Sequence, residues 1–212
     1  MHVARVLRLL PFTFAMLTAL VGSAIWTRTH LGPLSTSSRR HVGFAPLHLP
    51  SGNWMRLFSS VFFTVGGSSF YTSAAMLAGA AGTAEIVYGT ASTTLLFWGI
   101  HLATLLLLSV LFAIPLHALD FYRGTLVARA QDVGPSAGYY GCLGSVCSAS
   151  PEVWRIAVTG VILVFLLARL VWSFVRTPDD GRAISADLSH IIAFPLGVLW
   201  ASLMSSPARL AP

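Results

Sequence analysis

Long apolar runs alternate with short polar breaks along this chain, and their lengths predict helices that cross a membrane. The first run covers residues 9–27. Arg5 and Arg8 precede it and Arg28 closes it. The same stretch also fits a secretory signal peptide ending near Gly22-Ser-Ala. Its uncharged core is long for that purpose, and the remainder of the chain is membranous as well. Residues 28–53 read as a polar loop with His30, His41 and His48. Trp54 and Arg56 then head an apolar stretch to Phe63, the pattern of a helix anchored at headgroup level.

The second span is expected from Ser68 to Val87. Its many Ser, Ala and Gly residues suit close packing against neighbouring helices, and Glu85 and Gly89 close it. The third, Thr93–Ile114, is Leu-rich, with His101 as its ionisable group. A loop with Asp120, Arg123, Arg129 and Asp132 leads to a short, glycine-spaced fourth span, Ser136–Ala149. A helix that short begins below the membrane surface. Its N-terminus must then face a water-filled cavity, because free backbone donors cannot face lipid. The fifth span is Ile156–Val175, a turn follows at Asp179-Asp-Gly-Arg182, and the sixth is Leu188–Met204, with Pro195 as a kink. No internal repeat is visible, which speaks against a small transporter.

Composition agrees with this pattern. The chain has 212 residues, 55% of them hydrophobic and 9% charged, and a mean hydropathy of +0.75. A soluble domain carries roughly a quarter charged residues, so this chain cannot cover itself with polar surface. All 13 basic residues are arginine, and the formal net charge is +6. In a soluble protein that balance would raise nucleic-acid binding. Here the arginines are scattered between apolar runs and belong to water and lipid headgroups, so no nucleic-acid partner is expected. Cys142 and Cys147 point in different directions on one helix, are poor disulfide partners, and read as small buried apolar groups. No metal spacing is present, and no cofactor is called for.

Two residues carry candidate chemistry. Ser136 follows Gly134 and Pro135 at the predicted start of the fourth span. There the free N–H groups and the positive end of the helix dipole favour a developing oxyanion. The plainer alternative makes Ser136 a helix N-cap. His190 lies within the sixth span, where an ionisable side chain is a functional candidate by default, and a neutral imidazole is the usual base for a serine. Gly138, Gly141 and Gly144 form a small-residue face on the fourth span, and Ala193 with Gly197 does the same on the sixth. Two such faces would bring Ser136 and His190 together. His101 reads as a core histidine bonded to a backbone carbonyl.

These fragments, in this order, resemble the rhomboid intramembrane serine proteases over residues 53 to 205. Asn53-Trp-Met-Arg is similar to the Trp-Arg segment of the family's first loop, and Glu85-Ile-Val-Tyr-Gly89 to the end of its second helix. Gly134-Pro-Ser136, followed by Gly141 and Gly144, resembles the Gly-x-Ser signature. His190 with Phe194 and Gly197 resembles the histidine helix. The form Asp132-Val-Gly-x-Ser is similar to a divergent bacterial branch. The resemblance implies a fold and an arrangement of the chain. The fold is an all-α membrane protein, a six-transmembrane-helix bundle in one domain spanning 1–212, with a core at 53–205. The arrangement is multi-pass in a bacterial inner membrane with cytoplasmic termini. Positive-inside counting of the loop arginines opposes that orientation.

The resemblance also implies a function. Ser136 is the nucleophile, His190 the base, Tyr140 the ring that packs on the imidazole, and other membrane proteins the substrates, with no cofactor. The chain departs from the family where the second helix ordinarily carries His-x-x-x-Asn. Ser69 and Ser73 occupy the nearest positions and would have to support the oxyanion. Losing one such donor costs about a hundredfold or more in rate. The same departure motivates the alternative of a catalytically silent rhomboid-like protein that binds or escorts membrane proteins. Oligomeric state cannot be read from the sequence.

Overall fold

The computed structural model describes residues 10–176 and 181–204. Arg5, Arg8, Arg209 and the turn at Asp179-Asp180 lie outside the described residues. Among those residues the regular structure is helical, apart from two isolated β-bridges, Pro33 with Gly66 and Phe44 with Asp132.

The first helix, α1, covers Pro11–Thr27. Pro11 opens it, as suits a residue with no N–H to leave unpaired. Leu10 at its N-cap supplies no side-chain bond. Glu85, distant in sequence, does that work instead. Its carboxylate accepts from Phe12 N–H at 2.9 Å, Thr13 N–H at 2.9 Å and the Thr13 hydroxyl at 2.8 Å. It also accepts from the Thr90 hydroxyl at 2.8 Å. One buried acid thus ties α1 to the middle of the bundle.

The connection from 28 to 53 is not wholly irregular. It contains α2 (Thr36–Val42), capped by the Ser35 side chain on Ser38 N–H. Residues 54–63 form α3 (Met55–Ser59) and a single 3₁₀ turn, Ser60–Phe62. Arg56 donates to the carbonyl of Arg40 at 2.7 Å and to that of Gly43 at 3.1 Å, pinning the loop.

The predicted second span is one helical rod of three parts: α4 (Ser68–Met76), a π-helical stretch Leu77–Ala81, and α5 (Gly82–Tyr88). Gly89 turns the chain at φ +78°, which side chains avoid. The third span begins as α6 (Thr90–Leu107), passes through a π-helical stretch Leu108–Ala113, and ends as α7 (Ile114–Ala118). The next segment, expected to be a loop, carries α8 (Tyr122–Arg129). Close packing accounts for this helix. A Cβ on Gly124 would overlap the Leu116 backbone and side chain, so the short helix lies flat against α7. Then follow α9 (Ser136–Ser148), α10 (Glu152–Arg176) and α11 (Gly181–Met204), which runs through Pro195.

Three helices among the described residues are long and apolar enough to cross a membrane: Thr90–Ala118, Glu152–Arg176 and Gly181–Met204. Pro11–Thr27 is a shorter apolar helix. The 13 residues of α9 rise only about 20 Å at 1.5 Å each, less than the roughly 30 Å hydrocarbon core. By length and composition, three helices among the described residues are thus candidate spans.

The main core gathers residues from α1, the 68–88 rod, α6, α9 and α11, including Leu20, Leu77, Phe97, Tyr140 and Phe194. Helix α9 sits at its centre. Helix α10 lies outside, with most of its apolar residues uncovered. Leu166 and Ser173 are its buried residues.

Candidate active site

Ser136 is the first residue of α9, and Pro135 is its N-cap without a side-chain bond. The N-cap reading of Ser136 is therefore displaced by one residue. The first helical bond runs from Tyr139 N–H to the Pro135 carbonyl at 3.0 Å. The N–H groups of Ser136, Ala137 and Gly138 thus have no intrahelical acceptor. The approach to this helix is fixed on two sides. Phe44 and Asp132 exchange backbone bonds at 2.9 and 2.8 Å, and Gly134 N–H donates to the Ser60 carbonyl at 3.1 Å. Gly134 holds φ +137°, a conformation essentially restricted to glycine. The Gly-Pro-Ser sequence has a local reason: a glycine turn, then a proline stop, then a serine at the open helix end.

His190 reaches the same place from α11. The α9–α11 pair is the closest helix contact in the fold, and glycine makes it possible. A Cβ at Gly197 would lie 2.8 Å from the Gly141 carbonyl carbon and 3.0 Å from its Cα. A Cβ at Gly144 would lie 3.1 Å from the carbonyl carbon of Phe194. Ala193 is fully buried beside them. Gly138, expected on this face, serves a different neighbour. Its open side accommodates the Phe97 ring of α6, and Gly141 also makes room for Ile100. The α9 glycines therefore serve two helices, because the central helix is surrounded.

An open cavity of about 220 Å³ collects the candidate residues. Ser136, His190, Gly134, Ser69 and Ser73 all line it, together with Tyr139, Asp132 and Arg169. The Tyr140 ring lies on the imidazole, with centroids 4.2 Å apart and planes at 33°. Burial pushes the Asp132 carboxyl, on the loop before the helix, up to about 6. His190 is 6% exposed, and both of its ring nitrogens are enclosed without a hydrogen-bond partner among the described residues. Ser136 and His190 line one cavity, as their small-residue helix faces led one to expect, without a hydrogen bond between them among the described residues.

His101 differs. Its Nε2 lies 3.1 Å from the Leu57 carbonyl, and its ring stacks on Phe97, as expected of a core histidine. Cys142 and Cys147 are buried free thiols. Among the described residues no group of His, Cys, Asp or Glu is arranged to hold a metal ion.

Two residues around His190 were not singled out in the sequence. Asp187, one turn earlier on α11, places Oδ1 3.6 Å from His190 Nδ1. Arg169 of α10 reaches the same oxygen at 2.8 Å. The signal for the first was present as Asp-x-x-His, a spacing that shares one helix face. Nothing in the sequence paired α10 with α11. Comparison with protein-family models found no match, and comparisons with curated proteins and with solved structures found none either.

Proposed function

We propose that this chain is a rhomboid-like intramembrane serine protease, with Ser136 as nucleophile and His190 as general base. The observation that carries the reading is the shared cavity, where a serine at an open helix end meets a buried histidine with no bonded partner. Ser136 Oγ attacks the peptide carbonyl carbon while its proton passes to His190 Nε2. The carbonyl oxygen, now an anion, takes hydrogen bonds from the free N–H of Ser136 and from the Ser69 or Ser73 hydroxyl. The C–N bond then breaks and the imidazolium gives its proton to the leaving amine. Water entering through the open cavity hydrolyses the acyl-enzyme by the same route in reverse. The substrates are other membrane proteins, met within a six-helix rhomboid-type bundle in a bacterial inner membrane, and no cofactor takes part.

Covalent labelling by a fluorophosphonate in native membranes tests this. Wild-type protein should label at Ser136 and cleave a model membrane substrate. Ser136→Ala and His190→Ala should each abolish both while leaving expression unchanged. Activity that survives both substitutions assigns the chemistry elsewhere. The serines that stand at the oxyanion positions, Ser69 and Ser73 in place of His-x-x-x-Asn, favour a second reading, a silent rhomboid-like protein that binds or escorts membrane proteins. Folded wild-type protein inert to both reagents would select it.

A further inference from the structure

Asp187 needs an explanation of its own. It lies on an apolar helix, is 3% exposed, and sits where a charge is costly unless paired. Three groups converge on it. The Ser173 hydroxyl donates to Oδ2, Arg169 Nη2 lies 2.8 Å from Oδ1, and His190 Nδ1 lies 3.6 Å from Oδ1. Arg169 and Ser173 are four residues apart on α10 and so present one face to Asp187. A simple staple between α10 and α11 would need only these two. It does not account for the third group, a buried imidazole whose Nδ1 has no other partner and points to the same oxygen. A shift of less than about one ångström brings that nitrogen into hydrogen-bond range.

We propose that Asp187 is the positioning residue for His190: its Oδ1 accepts the Nδ1–H hydrogen, while Arg169 and Ser173 hold the carboxylate in place. The proposal rests on the protease reading for its purpose but not for its geometry. A neutral imidazole has one N–H. With that hydrogen kept on Nδ1, Nε2 has a free lone pair for the Ser136 proton, and the carboxylate then steadies the imidazolium that forms. The Arg169 guanidinium, 2.8 Å from Oδ1, sets a positive charge against the carboxylate. The constellation becomes serine, histidine and aspartate, with the aspartate three residues before the histidine on the same helix.

The test uses the full chain in lipid nanodiscs with ¹⁵N-histidine NMR, the His190 signals being identified by their loss in His190→Gln. Wild-type His190 at neutral pH should be in the Nδ1–H form, and Asp187→Asn should move it toward Nε2–H. The same variant should lower the kcat for a model substrate by at least about 100-fold, toward the roughly 10⁴-fold that tautomer loss costs in a serine triad, with KM within about twofold. An Nε2–H form in the wild type overturns the proposal, and needs no folded variant. So does an unchanged tautomer in Asp187→Asn, which would leave Asp187 as a helix staple. Failure of the protease reading is seen separately. It would appear as wild-type protein that has the Nδ1–H tautomer yet never labels at Ser136.

Discussion

Gly197→Ala adds one methyl group at the tightest point of the α9–α11 contact. The new Cβ would overlap the Gly141 carbonyl oxygen outright and sit 2.8 Å from its carbonyl carbon and 3.0 Å from its Cα, where ordinary contact begins at 3.4 Å. These are backbone atoms and cannot swing aside. The helices must therefore part by more than about an ångström to clear the oxygen, and overpacking of this kind costs about 3 kcal/mol, the upper end of its usual range. The same displacement carries His190, two turns back on α11, away from Ser136. A misplacement of about 1 Å at a reacting pair costs on the order of 100-fold. Gly197→Ala is thus expected to slow fluorophosphonate labelling of Ser136 by about that factor and to lower the melting temperature in detergent. Gly160→Ala on α10 is the control, because a Cβ there meets nothing within 4 Å. It should label at the wild-type rate with unchanged or slightly raised stability, since alanine is the better helix former. Equal labelling rates for Gly197→Ala and wild type would refute the argument that close helix approach sets the distance between serine and histidine.

Two further outcomes follow from two other carboxylates, the buried Glu85 and the partly buried Asp132. Glu85→Gln replaces an acceptor of four hydrogen bonds with an amide whose N–H₂ faces donors. It should cost at least about 2 kcal/mol, read as a lower melting temperature, with Glu85→Asp intermediate; an unchanged melting temperature would show that α1 is held by packing alone. Asp132 has its carboxyl raised from 3.8 to about 6 by burial, so the folded chain favours the protonated form. Its ionisation penalty is absent below about pH 4, grows as pH rises toward 6, and stays constant above. Asp132→Asn should therefore melt higher than wild type at pH 7.5, by on the order of 2 kcal/mol in stability, and equally at pH 4; a difference independent of pH would contradict this.

Much of the site was legible because its determinants are local. Gly134-Pro-Ser136 carries its own turn, stop and helix start, and Gly141, Gly144, Ala193 and Gly197 show their small faces by spacing alone. What could not be read depends on neighbours. The helices Thr36–Val42 and Tyr122–Arg129 are short and largely polar, and the second buries only Gly124, Val127 and Ala128. They form because Arg56 and Leu116 give them something to lie against. The role of Gly138 is set by Phe97, a partner no spacing rule could name. Asp187 was visible one turn before the histidine. Its meaning required Arg169 and Ser173 to arrive from another helix. The shortness of the glycine-spaced helix was legible too, because its apolar run from Ser136 to Ala149 is short; that it is enclosed by other helices depends on its neighbours.

The two histidines of the bundle show how a buried polar group can be weighed without any homologue. Both are almost fully enclosed. His101 pairs Nε2 with the Leu57 carbonyl and stacks its ring on Phe97, which leaves one of its two nitrogens, Nδ1, without a partner among the described residues. His190 has given neither nitrogen to anything, although Asp187 stands one short movement away. Each unmet buried polar group costs about 1–3 kcal/mol. Leucine would fill the same helix position without that penalty. A helix that carries histidine there, against a tyrosine ring, beside a serine at an open helix end and within reach of a held carboxylate, has its polar groups arranged toward one another. That arrangement supports a site whose bonds are completed when the Ser136 hydroxyl turns to Nε2 and Nδ1 closes on Asp187, and it is the physical ground on which the protease is proposed over the silent alternative.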